Sequence, residues 1–151
     1  MMSELRDLYQ DMILDHNKRP RNRGKLDGAN HKAEGFNPLC GDRVTVYVKT
    51  ENDVVVDVSF EGSGCAISTA SASMMTDAVK GKTLDQARQL FQRFRALVTE
   101  DDETQGDPGS MGKLAVFSGV GQFPARVKCA TLAWHTVNAA LNDEAKPVST
   151  E

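Results

Sequence analysis

The sequence predicts an α+β fold, in which a small antiparallel β-sheet packs against several α-helices. Two runs of alternating apolar and polar residues flank the turn dipeptide Asn52-Asp53, which is the pattern of a β-hairpin. Segments before and after this hairpin carry apolar residues at the three- and four-residue spacing of amphipathic helices. We therefore expect helices to cover one face of the sheet.

The first predicted helix spans residues 3–16, with acidic residues in its first turn and Pro20 just beyond its end. Residues 21–39 are rich in Gly, Asn and Pro and predict a loop, within which only 29–36 carry a weak strand signal. In the predicted helix 3–16, the apolar positions that define the buried face are Leu5, Leu8, Tyr9, Met12 and Ile13.

The hairpin strands follow this loop. Valines alternate with polar residues over 44–49, and in the second run the alternating apolar positions are Val54, Val56, Val58 and Phe60, so each strand is expected to present one apolar face. The small residues from Ala66 to Lys80 predict a helix that ends at Gly81, since glycine readily adopts the left-handed backbone that closes a helix.

The next helix has the clearest pattern in the chain. Thr83 and Gln86 form a capping-box pair at its start. The acidic segment 99–109, broken by Gly and Pro, predicts a surface loop, and residues 114–120 predict a short ordered piece. The helix that follows the capping box is predicted to bury a stripe made of Leu84, Ala87, Leu90, Phe91, Phe94, Leu97 and Val98.

The last predicted helix runs from about Ala125 to Leu141, with Trp134 on its apolar face. No linker or internal repeat divides the sequence, so residues 1–142 are predicted to form a single domain and 143–151 a polar C-terminal tail.

Composition restricts the function classes. With 40% apolar and 26% charged residues, the chain has the composition of a soluble globular domain. Its formal net charge of −3 has the wrong sign for a nucleic-acid surface, so no nucleic acid is expected as a partner. No apolar run approaches the roughly 20 residues that span a membrane, and the start of the chain lacks a signal-peptide pattern. We therefore expect a cytoplasmic location and no membrane partner.

The three cysteines cannot form a complete set of disulfides. Cys40 lies just before the first hairpin strand, Cys65 at a strand-to-helix turn, and Cys129 near the start of the last helix. Small buried core residues are the alternative interpretation, but core cysteines tend to occupy the periodic apolar positions. Positions beside helix and strand ends favour metal or thiol chemistry instead.

Asp42 supplies a possible fourth ligand, because it lies two residues after Cys40 at the start of a strand. Three thiolates and one carboxylate suit tetrahedral Zn²⁺, and we expect this metal site at one end of the sheet. They bring four negative charges, of which a divalent ion leaves two to be balanced nearby. Arg126 and Lys128 are candidates for this supporting charge, as is Arg43, although ordinary surface charge is an equally simple interpretation. The histidines, expected to have ordinary hydrogen-bonded roles, are His16, His31 and His135.

Three short motifs resemble those of a known family. Residues 37–42 read NPLCGD, residues 61–68 read EGSGCAIS, and residues 126–130 read RVKCA. In this order they resemble the ligand motifs of the SufU/IscU/NifU family of iron–sulfur cluster assembly proteins. The segment from Phe117 to Pro124 resembles an insertion of the SufU branch, and Lys128 stands where the IscU branch typically has a histidine.

The resemblance to the SufU branch implies a tightly held zinc ion and a role as a sulfurtransferase-like sulfur acceptor that stimulates a cysteine desulfurase. It further implies that a histidine of the desulfurase takes over one zinc position, which frees the cysteine resembling Cys40 to receive a persulfide. Partners downstream are then expected to be iron–sulfur assembly or carrier proteins.

Two alternatives use the same residues. The first is a scaffold on which a [2Fe–2S] cluster is assembled and passed on, since such clusters are held mainly by cysteine sulfur and iron then takes the place of zinc. The second is a zinc-stabilised binding module without transfer chemistry, in which loss of the metal costs only folding. The sequence leaves these alternatives open.

Overall fold

In the computed structural model the chain is described at residues 2–38, 41–99, Leu114, Phe117, 124–142 and 148–149. The helices are α1 (Met2–Lys18), α2 (Ala66–Val79), α3 (Leu84–Thr99) and α4 (Pro124–Leu141). The strands are β1 (His31–Asn37), β2 (Asp42–Glu51), β3 (Val54–Ser63) and β4 (Val148–Ser149).

The strands form one sheet in the order β3-β2-β1-β4. The β1–β2 and β2–β3 pairs are antiparallel, which confirms the predicted α+β fold and the hairpin. Both turn residues of the hairpin, Asn52 and Asp53, have positive φ angles of 53° and 63°. This conformation matches the twist of the flanking strands and is one that Asn and Asp adopt more readily than most residues.

The weak strand signal over 29–36 is confirmed as β1. The sequence did not predict β4, which lies within the polar segment 143–151 and pairs in parallel with Gly35 and Phe36. A strand of two residues is too short to carry an alternating pattern, because alternation needs several consecutive residues to be recognised.

The four predicted helices are present, with ends that differ by a few residues from those expected. The capping box at the start of α3 is confirmed: Thr83 N donates to Gln86 Oε1 at 3.0 Å, and Gln86 N donates to Thr83 Oγ1 at 3.1 Å. The predicted loop 99–109 lies almost wholly outside the described residues. Of the predicted segment 114–120, Leu114 and Phe117 are described, and both are buried.

Helices α2 and α4 lie on the inner face of the sheet, α1 packs on α2, and α3 packs on α4. Inward-facing valines of β2 and β3 are fully buried beneath them. Further from the sheet, Phe94 of α3 stacks on Trp134 of α4 with ring centroids 4.5 Å apart. This apolar layer fixes α4 against the sheet and thereby sets the position of its first turns. Among the described residues, no helix is both long and apolar enough to cross a membrane.

Candidate metal centre

Three of the predicted ligands lie together at one end of the sheet. Asp42 is the first residue of β2, Cys65 immediately precedes α2, and Cys129 lies in the second turn of α4. One ligand atom from each residue, a carboxylate oxygen and two sulfurs, lies within 4.8 Å of the others. Segments far apart in sequence thus converge at the sheet end where the sequence predicts a metal site.

Asp42 is fully buried, and nitrogen donors hold both oxygens of its carboxylate. Cys65 N donates to Oδ1 at 2.8 Å, and Asn37 Nδ2 donates to Oδ2 at 3.2 Å. Burying a carboxylate is costly unless it is hydrogen-bonded or paired with a cation. Each oxygen has a second lone pair, so these hydrogen bonds leave acceptor capacity for a cation.

Cys65 is half-buried at the N-cap of α2, where its sulfur accepts a hydrogen bond from Ser68 N at 3.4 Å. Its sulfur lies 4.0 Å from Asp42 Oδ2. The free N–H groups of a helix N-terminus are favourable neighbours for negative charge. Cys65 therefore joins the cluster through both its backbone and its side chain.

Cys129 is only 3% exposed, and its sulfur lies 3.6 Å from Asn37 Nδ2. Neither Cys65 nor Cys129 forms a disulfide. Because Cys129 is buried, its sulfur is shielded from water and from oxidants.

The three donor atoms suit a tetrahedral zinc ion. Zinc bonds of about 2.3 Å to sulfur and about 2.0–2.2 Å to oxygen place tetrahedral ligand atoms roughly 3.5–3.8 Å apart. The observed upper limit of 4.8 Å exceeds that separation by about an ångström, which small side-chain rotations accommodate. Two thiolates and a carboxylate also match the ligand types that zinc prefers.

Cys40 lies outside the described residues, so its place in the ligand set stays a prediction. The described residue that follows it, Gly41, has a positive φ of 72° and donates its N–H to Asn37 O at 2.9 Å. Glycine adopts this backbone conformation without steric cost.

Two of the three predicted supporting charges lie on α4 ahead of Cys129. Arg126 is exposed and Lys128 is half-buried, while Arg43 is exposed on β2. All three come from segments that contribute a ligand. Their role in balancing the charge of the site stays a prediction.

The histidines occupy other environments in the described structure. His16 is buried, with Nδ1 2.7 Å from Ser73 Oγ, and His31 Nε2 lies 3.1 Å from Thr50 Oγ1. His135 contacts the ring of Phe91 edge-on at 5.1 Å between centroids, and burial lowers its pKa. Among described residues, none of the three belongs to the group formed by the aspartate and the two cysteines.

Sequence reasoning did not identify Asn37 and Gly64 as parts of the site. Asn37 pairs with Asp42 across β1 and β2, and the buried alternation of β1 places it on the inner face. A Cβ atom at Gly64 would lie 2.5 Å from Asp42 Oδ1, so only glycine leaves room for the carboxylate. The strand alternation could have identified Asn37, whereas the contact of Gly64 needs coordinates.

Comparison with known proteins agrees with the motifs. Residues 8–130 match the family described as the NifU-like N-terminal domain. The chain is 41% identical to the iron–sulfur cluster assembly scaffold protein IscU of Streptococcus pyogenes, with 95% of this chain and 89% of the relative covered. It is 40% identical to the zinc-dependent sulfurtransferase SufU of Bacillus subtilis, with 94% of this chain and 95% of the relative covered.

A solved structure shares the fold. The N-terminal part of a nitrogen-fixing NifU-like protein from Brucella abortus superposes with a TM-score of 0.80 at 27% identity. The match covers 93% of this chain and 99% of that one.

Proposed function

The chain belongs to the NifU-like N-terminal domain family, and from this premise we propose that it serves iron–sulfur cluster assembly as a zinc-dependent sulfur acceptor for a cysteine desulfurase. The observation that carries the proposal is the convergence of Asp42, Cys65 and Cys129 within 4.8 Å at one end of the sheet. Such a cluster of soft and hard donors, assembled from three segments, serves no evident purpose in packing the core. We assign this activity to the cytoplasm, where thiols stay reduced.

The proposed ligand set is Cys40, Asp42, Cys65 and Cys129. Zinc bound there would keep the thiolates deprotonated and unreactive until one of them is released. The chain's own contacts distinguish the ligands: Cys65 N and Asn37 Nδ2 hold the carboxylate of Asp42, while Ser68 N contacts the sulfur of Cys65. These contacts favour retention of those ligands. Cys40 is the proposed exchangeable ligand because it resembles the sulfur-accepting cysteine of the SufU branch.

The transfer itself is thiolate–persulfide exchange. The Cys40 thiolate attacks the terminal sulfur of a persulfide on the desulfurase, a new S–S bond forms on Cys40, and the desulfurase cysteine leaves as a thiolate. The proton on the terminal sulfur moves with it, so no oxidant, reductant or general base is required. Arg126 and Lys128, on the same helix as Cys129, are proposed to offset negative charge at the site.

A second candidate function is the [2Fe–2S] scaffold. The thiolate-rich donor set favours it too, and the relative from S. pyogenes carries the name of a scaffold. The relatives of nearly equal identity carry different names, so the choice between acceptor and scaffold rests on the bound metal and on the fate of sulfur.

One experiment separates the candidates. The purified protein, with its metal content measured, is mixed with its cognate desulfurase and cysteine, and alanine formation is followed while mass spectrometry locates added sulfur. Faster alanine formation with a sulfur atom added to the Cys40 peptide supports the acceptor. A brown protein that gains iron and sulfide together supports the scaffold. A colourless zinc protein that neither accelerates the desulfurase nor gains sulfur is a binding module and contradicts the proposal.

A Cys40→Ser variant is the matched control, because it removes the accepting sulfur with little change in size. It should abolish the added mass. In the wild-type protein, a stably added sulfur atom on Cys65 or Cys129 in place of Cys40 would overturn the assignment of Cys40.

A further inference from the structure

A buried carboxamide lies directly behind two of the proposed ligands. Asn37, the last residue of β1, is 1% exposed. Its Nδ2 lies 3.2 Å from Asp42 Oδ2 and 3.6 Å from Cys129 Sγ. A carboxamide nitrogen carries two hydrogens, so one side chain can donate to the carboxylate and to the sulfur together. Asn37 thus links a ligand on β2 to a ligand on α4.

The orientation of this carboxamide is set by its neighbours. In the opposite orientation Oδ1 would face a carboxylate oxygen and a sulfur, and an ionised carboxylate and thiolate only accept hydrogen bonds. In the observed orientation Oδ1 is buried and accepts no hydrogen bond within the described part of the chain. Leaving a buried acceptor unpaired is unfavourable for folding. An asparagine at this place is therefore explained by the two groups its nitrogen contacts, since an apolar residue would fill the strand end but donate to neither of them.

The register of the sheet supports the same interpretation. Asn37 and Asp42 are directly paired across β1 and β2, so the backbone fixes their separation. Cys65 N holds the other oxygen of the carboxylate at 2.8 Å. With both oxygens held, the carboxylate cannot rotate freely, and its remaining lone pairs keep a fixed direction.

We propose that Asn37 is a positioning residue that holds Asp42 and Cys129 ready for metal, an inference that rests on the proposed metal site. It does not contact the metal itself. By fixing two of the four proposed ligands, it lowers the entropy lost when the ion binds and slows the escape of the ion when another ligand is exchanged. Asn37 would thereby let Cys40 leave the metal without loss of the ion.

The first test measures zinc affinity by competition with a chromophoric chelator. Asn37→Leu keeps the branched shape and the number of side-chain heavy atoms and removes the donor, so the zinc dissociation constant should rise about 10- to 100-fold. The matched control is Thr136→Val, which removes a fully buried hydroxyl that donates to Leu132 O within α4. This control should bind zinc as tightly as the wild-type protein, even where its thermal stability falls.

A spectroscopic measurement separates positioning from general stability. Replacing zinc by Co²⁺ gives absorption bands that report the number of thiolate ligands and the geometry of the site. Asn37→Leu should shift these bands, because one thiolate and the carboxylate lose their common donor, while Thr136→Val should leave them unchanged. If Asn37→Leu does not fold, Asn37→Ala provides the same measurement with a smaller side chain.

A double-mutant cycle completes the test. In an Asp42→Ala background, Asn37→Leu should weaken zinc binding by a smaller factor than in the wild-type background, since one of its two acceptors is already absent. Equal losses in both backgrounds, or wild-type affinity and wild-type Co²⁺ bands in Asn37→Leu, would overturn the inference. Absence of zinc binding in the wild-type protein would instead overturn the proposed function, so the two failures are distinguishable.

Discussion

Helix α4 passes through two buried environments that differ in what makes burial favourable. Trp134 is fully buried and stacks on Phe94, whose ring in turn meets Phe117 edge-on at 5.6 Å. Cys129, on the same helix, is 3% exposed and faces an aspartate, an asparagine and a second cysteine. Apolar burial is favourable by itself, whereas a buried carboxylate and thiolates need a cation. One helix, equally buried at both places, thus contributes to an apolar core that is stable by itself and to a proposed metal site whose charged donors need a cation.

The largest expected effect comes from removing a sulfur ligand. Cys40→Ala, Cys65→Ala and Cys129→Ala should each reduce zinc from one ion per chain to a small fraction and lower the melting temperature. Structural zinc binding contributes on the order of 10 kcal/mol in small domains, and that free energy is shared with folding. Elemental analysis and thermal unfolding are the measurements. Ser73→Ala, a buried polar position of α2, is the control, and full zinc occupancy in any cysteine variant would remove that residue from the ligand set.

The next effect tests the apolar side of the comparison. Trp134→Ala should reduce the free energy of unfolding by about 3–5 kcal/mol, because it removes a large fully buried side chain and leaves a cavity. The folded fraction should still bind one zinc ion per chain. Urea denaturation with zinc analysis measures both. Loss of zinc from protein that remains folded would show that the core and the site are not separable.

Gly64→Ala should disturb the site with a smaller cost to the core. Its Cβ would press on the Asp42 carboxylate, with 3.1 Å to both Cβ and Cγ of that residue. Overpacking of this kind typically costs about 1–3 kcal/mol. Chelator competition should find faster loss of zinc, and Gly81→Ala, at a glycine with open space around it but a positive φ, controls for backbone effects. If Gly64→Ala lost zinc to the chelator at the wild-type rate, the Asp42 carboxylate would be able to move aside without disturbing the site.

Asp42→Ala should behave differently from the cysteine variants. Removing the hard ligand leaves the proposed soft thiolates and an open position for water, so zinc should remain bound while its exchange becomes faster. The rate of zinc release to a chelator, measured beside stimulation of the desulfurase, checks this expectation. Wild-type values in both measurements would exclude Asp42 from the site.

The smallest effect is expected far from both regions. Thr83→Ala removes one half of the capping box of α3 and should cost about 1 kcal/mol, with no change in zinc content or release. Chemical denaturation detects a change of this size. A change in metal release would instead show that α3 transmits strain to the site.

The sequence predicted the elements whose patterns are long. The hairpin and α3 each repeat their period several times, so both were clear as elements, and the buried faces of β2 and α3 are as predicted. In β3 the alternation predicted one face for Val54, Val56, Val58 and Phe60, but Val55 is buried and Val56 is exposed, where the pairing with β2 shifts register. The convergence of Asp42, Cys65 and Cys129 was predicted from their places beside element boundaries together with the resemblance to known motifs. The roles of Asn37 and Gly64 were not, because they follow from strand register and from interatomic distances of a few ångströms. Strand alternation could have placed Asn37 on the inner face, but neither the register nor these distances are encoded in a local pattern.

The short strand β4 has a consequence for self-association. Without it, the outer edge of β1 would present unpaired backbone groups next to the proposed metal-binding end of the sheet, and such edges invite pairing with another chain. β4 pairs with Gly35 and Phe36 and so covers that edge. These two residues immediately precede Asn37 in β1. Two residues distant in sequence from every proposed ligand thus protect the sheet from aggregation where the site is built.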